Sequence, residues 1–155
     1  LVGNLIGTVI GLFVGGYITW KTSMTSIKRQ NEFEEKRIET SDQLKALACL
    51  IALKYELIDN LGGLDGFEKY IKERNLQPST EVDLSFLKDF AWHKYNISVI
   101  RYLPNEELEK ISSFYSSIFA FKYSRPIQFD YVKDMISSGE ECLEYIKKGI
   151  KTLQT

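Results

Sequence analysis

The first twenty residues, LVGNLIGTVIGLFVGGYITW, carry no charged side chain. A helix rises about 1.5 Å per residue, so residues 1–20 would reach about 30 Å, the thickness of the hydrocarbon core of a bilayer. Tyr17 and Trp20 stand near the end of the segment, and such aromatic side chains favour the membrane interface. A cleaved signal peptide would have a shorter apolar core. The pattern therefore predicts a transmembrane helix over residues 1–20.

Small residues repeat along one side of this predicted helix. Glycine recurs every fourth residue, at Gly3, Gly7, Gly11 and Gly15. Small side chains let helix backbones approach closely, which favours helix association in lipid. Asn4 and Thr8 share that side, where they favour a neighbouring helix or a water-filled lumen over lipid. The spacing favours a homo-oligomer, and the alternative is a lone anchor with an accidental glycine run.

The residues after the apolar segment predict its orientation. Lys21, Lys28 and Arg29 follow it closely, and basic residues flank membrane helices on the cytoplasmic side. We therefore expect a single-pass membrane protein whose C-terminal domain is cytoplasmic. Residues 21–40 are polar and contain neither Gly nor Pro, which predicts a helical connector.

Residues 41–155 show helical periodicity, beginning with one strongly apolar run. The sequence Thr40-Ser41-Asp42-Gln43 resembles a capping box, and Gly62-Gly63 is typical of a helix end. The predicted apolar face between them consists of Leu44, Leu47, Ala48, Ile51, Tyr55 and Ile58. A short helix opened by Asp65 is expected to follow.

Three further helices complete the predicted domain. Ser79 or Thr80 is expected to cap a helix that begins near Val82 and passes Ala91. Pro104 and the acidic residues after it predict another helix start. The break Ser124-Arg125-Pro126 and a last helix over residues 127–153, with a bend at Gly139, follow. The fold class is thus all-α, a membrane helix followed by a four- or five-helix bundle.

Composition adds limits rather than a function. The net charge of −1 gives no overall attraction to nucleic acid. Cys49 and Cys142 both fall in apolar helical patterns, which predicts buried reduced thiols. One His and two distant Cys do not match a zinc-site spacing, so no metal and no cofactor are expected.

His93 is the single histidine and the one weak catalytic candidate. Asp89 and Asn96 lie one helical turn from it and would orient the imidazole, while Lys88 precedes it by five residues. The alternative is an ordinary polar position paired with Asp89. Arg101 and Arg125, with Tyr123, are candidates for binding an anion or RNA by charge and stacking, or for a structural role.

The layout of a glycine-rich membrane helix followed by a small helical domain resembles the accessory membrane proteins of type VI-B CRISPR systems. That resemblance implies a divergent HEPN-like domain and an oligomeric pore that serves an RNA-guided RNase. The HEPN hallmark is Arg followed four to six residues later by His. This sequence has Lys88 and His93 instead, with Lys in place of Arg.

Three functions are considered. The first is a non-enzymatic pore or channel that depolarises the membrane, with the lipid bilayer and further copies of the chain as partners. The resemblance implies that this pore lies in the bacterial inner membrane and acts in antiviral defence, with an RNA-guided complex or RNA as a further partner. The second is a membrane-anchored RNase that uses His93. The third is a tethered adaptor or sensor without pore activity.

Overall fold

A computed structural model of the chain describes residues 2–77, 82–123 and 129–154, with side chains from Gly15 onward. These residues form four α-helices, which are α1 (Val2–Arg74), α2 (Phe90–Val99), α3 (Asn105–Tyr123) and α4 (Asp130–Leu153). The described ranges contain no strand, so the predicted all-α class is confirmed.

Helix α1 contributes to two compact units of the chain, Leu1–Asp42 and Gln43–Thr155. In the first unit every described side chain from residue 15 to residue 40 is exposed. Among the described residues, no helix is both long enough and apolar enough to cross a membrane. Residues 1–14, the larger part of the predicted transmembrane segment, lie outside the described side chains.

The predicted start and stop signals inside α1 were wrong, because the helix continues through both. Thr40 does not cap a helix, and its hydroxyl instead donates to the Lys36 carbonyl of the preceding turn at 2.9 Å. Gly62 and Gly63 lie within the helix, and a side chain at Gly63 would overlap the ring of Phe86. This glycine therefore permits close packing rather than ending the helix.

The predicted short helix that opens at Asp65 is part of α1. Helix α1 ends at Arg74. Asn75 has a φ of 49°, in the left-handed region that Asn tolerates better than most residues. The Leu76 N–H then donates to the Ile71 carbonyl at 3.3 Å, as in a Schellman motif. The true stop is thus an asparagine cap.

The core of the second unit reverses the predicted face of α1. Its buried side carries leucines that are completely covered, and they meet buried residues of α3 and α4 such as Ile111 and Ile146. The buried leucines are Leu50, Leu53, Leu57 and Leu64. Leu44, Ile51, Tyr55 and Ile58, which the periodicity placed inside, are exposed. The helix is apolar on both sides in this stretch, so periodicity could not select the buried one.

Helix α2 is shorter than predicted, because residues 82–89 are not helical. The Asp83 carboxylate accepts the N–H of Ser85 at 2.8 Å, and this local bond competes with helix formation. Helix α2 then runs to Val99, although Ile97, Ser98 and Val99 have local strand character. The predicted caps Ser79 and Thr80 lie outside the described residues.

The last two helices follow the prediction more closely. Helix α3 begins directly after Pro104, as its acidic first turn predicts. Helix α4 starts at Asp130 and is continuous through Gly139, where a side chain would crowd Phe114 and Leu61. Cys49 and Cys142 are both buried and unbonded, which confirms their predicted role as packed thiols.

Candidate functional site

The most specific polar arrangement in the second unit surrounds the start of α2. Asp89 occupies the N-cap position, but its side chain makes no capping hydrogen bond. The carboxylate of Glu56, from α1, caps the helix instead. It accepts the N–H of Ala91 at 2.7 Å and the N–H of Trp92 at 3.3 Å. Helix α2 therefore takes its first-turn acceptor from another helix, and the negative charge also complements the helix dipole.

Asn60 extends this capping one helical turn further along α1. Its side chain accepts the Lys88 N–H and donates to the Lys88 carbonyl, both at 2.6 Å. Asn60 is completely buried, so these two bonds satisfy an amide that would otherwise be costly to desolvate. Glu56 and Asn60 together fix the backbone from Lys88 to Trp92.

His93 lies on the exposed side of α2, beside this capped end. Its Nδ1 lies 2.9 Å from the Asp89 carbonyl and 3.7 Å from Asp89 Oδ2. A carbonyl oxygen only accepts, so this contact is a hydrogen bond when Nδ1 carries the hydrogen. The structure thus brings His93 and Asp89 together, as their spacing predicts.

Lys88 has a different partner. Its ammonium binds Asp59 Oδ2 at 2.7 Å, and this hydrogen bond raises the pKa of Lys88. Lys88 therefore contacts α1, whereas His93 contacts Asp89, so the two residues do not share a partner. Arg101 is exposed just beyond α2, and Arg125 lies outside the described residues.

An open groove runs between α2 and α3 beside His93. Its volume is about 310 Å³, and it is lined by Trp92, His93, Asn96, Tyr115, Ser116 and Phe119. The rings of Trp92 and Tyr115 stack with centroids 5.3 Å apart. The Tyr115 hydroxyl is buried without a hydrogen-bond partner in the described structure. Burial and the nearby charge of Glu56 raise the pKa of Tyr115, so its hydroxyl stays neutral.

Sequence reasoning missed Glu56, Asn60 and Tyr115. Glu56 and Asn60 are spaced by four residues inside an otherwise apolar stretch, and that spacing indicates one helix face. This spacing was the sequence signal that could have indicated a shared role for Glu56 and Asn60. The described residues contain no cluster of His, Cys, Asp and Glu arranged to hold a metal ion. What the described contacts at α2 show is capping of the helix by Glu56 and Asn60.

Most of the predicted packing residues of the membrane segment lie before Gly15, where the structure describes the backbone but not the side chains. The side chains of Asn4 and Thr8, with Gly3, Gly7 and Gly11, lie outside those described. Gly15 is described, and a side chain added there would meet no atom within 4 Å.

Comparison with known protein families, curated proteins and solved structures finds no match for this chain. The resemblance to accessory membrane proteins of type VI-B CRISPR systems therefore stays a prediction.

Proposed function

We propose that the chain is a membrane-anchored effector that assembles with copies of itself and permeabilises the membrane. The observation that carries the proposal is the uncharged segment Leu1–Trp20 with its four-residue glycine spacing. Helix α1 begins at Val2 and runs through this segment, so its backbone groups bond within the helix. Internal hydrogen bonding is the condition that lipid imposes on any spanning segment.

The end of the segment carries features that suit a membrane boundary. The Thr19 and Thr22 hydroxyls donate to the carbonyls of Gly15 and Ile18, each at 2.8 Å. A threonine whose hydroxyl is bonded to its own helix has little cost in an apolar environment. The exposed rings of Tyr17 and Trp20 have centroids 6.2 Å apart and fit an interfacial belt.

Assembly would place polar groups where ions can pass. Asn4 and Thr8 share the glycine side and would line contacts or a lumen in an oligomer. The helical domain that follows would then lie in the cytoplasm, because Lys21, Lys28 and Arg29 flank the segment. We expect this domain to receive the signal that controls permeability.

Glycine replacement tests the proposal. The double variant Gly7→Ile, Gly11→Ile should lose oligomers in detergent and dye entry in expressing cells, because bulky side chains prevent close helix approach. Gly66→Ile is a matched control, since that glycine lies in the same helix with no atom near its side-chain position. Unchanged oligomer size and dye entry in the double variant would contradict the proposal.

A further inference from the structure

Helix α1 is apolar on two opposite sides between Leu44 and Leu64, and the bundle covers one of them. The covered side holds the buried leucines of the core, such as Leu53 and Leu57. The opposite side is exposed at six positions, and we call these six residues the outer stripe. They are Leu44, Ala48, Ile51, Tyr55, Ile58 and Gly62. A contiguous exposed apolar stripe rimmed by polar residues marks an interaction site, so the stripe indicates a second contact.

The outer stripe is both open and regular. Leu44 and Tyr55 are each 62% exposed, Ile58 is 41% exposed and Ile51 36%. A side chain added at Gly62 would meet no atom within 4 Å. Successive positions are alternately four and three residues apart, which is the heptad spacing of a helix that packs against another helix. The polar residues Ser41 and Asp65 occupy the next positions of the pattern and bound the stripe.

We propose that the outer stripe packs in parallel against the outer stripe of a second copy of this chain. In heptad terms Leu44, Ile51 and Ile58 occupy d positions and supply large aliphatic side chains to the seam. Ala48, Tyr55 and Gly62 occupy a positions. The small residues at two of these positions let the helices approach closely on either side of Tyr55.

The charged residues beside the stripe select the parallel direction. Lys54 falls at a g position and Asp59, five residues later, at an e position. In a parallel pair each g residue faces the e residue five positions later in the other copy. Two symmetric ion pairs would therefore form, each between Lys54 of one copy and Asp59 of the other. An antiparallel pair would place Lys54 opposite Lys54.

Neither side chain is in a position that prevents this pairing. The Lys54 ammonium lies 5.8 Å above the ring of its neighbour Tyr55, on the edge of the stripe. Asp59 binds Lys88 through Oδ2, which leaves Oδ1 to accept a further bond. Charge complementarity therefore identifies a second copy of α1 as the partner.

The contact also rests on the proposed function, because association through the membrane segment is what would bring copies of the chain together. The stripe contributes fewer residues than a specific protein–protein interface, which uses about 20–30 residues from each partner. Anchoring raises the local concentration of copies and makes such a small contact effective. We therefore expect the stripe to act together with the membrane segment.

Disulfide cross-linking of the full chain tests the contact. Ile51→Cys and Ile58→Cys should each form a dimer on oxidation in detergent, since parallel pairing places identical d positions together. Ile97→Cys is the matched control, because Ile97 is 80% exposed on α2 and lies off the stripe. The native cysteines are buried, so the unmodified chain provides the blank. Cross-linking at residues 51 and 58 no stronger than at residue 97 would overturn the inference.

A charge exchange tests the direction. Lys54→Glu should weaken the Ile51→Cys cross-link about fivefold, the equivalent of two exposed ion pairs, and adding Asp59→Lys should restore it. A mixture of Ile51→Cys and Tyr55→Cys chains that cross-links better than either alone would indicate antiparallel pairing and refute the parallel arrangement.

These results are separable from a failure of the proposed function. Cross-linking at residue 51 that persists without dye entry would contradict the pore and leave the stripe contact standing. Dye entry without cross-linking at residues 51 and 58 would contradict the stripe contact alone.

Discussion

The first turn of α2 depends on a carboxylate from α1, and Glu56→Ala removes it. The variant leaves the N–H groups of Ala91 and Trp92 without their acceptor, and Ala91 is buried, so water does not easily replace the lost bond. A hydrogen bond to a charged group contributes about 1.5–3 kcal/mol, and the longer bond to Trp92 contributes less than the shorter one. We expect the free energy of unfolding to fall by about 3 kcal/mol, or roughly 10 °C in Tm.

Urea denaturation of the full chain in detergent, followed by far-UV circular dichroism, measures this change. Glu56→Gln keeps one acceptor oxygen and should lose about half as much stability as Glu56→Ala, because the charge no longer favours the helix N-terminus. Glu144→Ala is the matched control, since the ion pair of Glu144 with Lys147 lies at the surface of α4. A loss in Glu56→Ala no larger than that in Glu144→Ala would refute the capping role.

Two further outcomes follow from packing and burial. Gly63→Ala should lower the free energy of unfolding by about 1–3 kcal/mol, because its methyl group overlaps Phe86. Gly66→Ala lies in open space and should raise the free energy of unfolding by about 0.5–1 kcal/mol. Thermal denaturation that ranks the two variants the other way would exclude this packing. Burial raises the pKa of Cys142 from its ordinary 9.0 to about 11, so the folded thiol keeps a proton that the unfolded thiol releases in that interval. Stability should therefore fall as the pH rises above 9, and less steeply in Cys142→Ala; equal slopes in urea titrations at several pH values would contradict the assignment.

Local signals predicted an element well where nothing distant competed with them. Helix α3 begins at Asn105 because Pro104 and the acidic residues after it all favour a first turn. His93 and Asp89 meet because four residues of helix place them together whatever the rest of the chain does. These inferences needed no tertiary information.

Distant contacts overrode local signals in α1 and α2. The pair Gly62-Gly63 indicates a helix end in isolation, but Phe86 packs against Gly63 and the helix continues. The N-terminal acceptor of α2 comes from Glu56, more than thirty residues earlier, so no capping pattern near Phe90 could reveal it. Burial likewise depends on tertiary contacts, which periodicity in one helix does not contain.

The two polar residues on the covered side of α1 explain how the fold chooses between its apolar sides. The outer stripe, from Leu44 to Gly62, and the covered side, which carries Leu50 and Leu64, are both apolar enough to pack on a core. Hydrophobicity alone therefore distinguishes the two sides poorly. Glu56 and Asn60 lie on one side only, and their hydrogen bonds match the backbone of Lys88, Ala91 and Trp92. Turning α1 by half a revolution would leave these backbone groups without acceptors inside the domain, at a cost for each. The polar pair therefore selects the covered side, and the outer stripe is left free for a contact between copies.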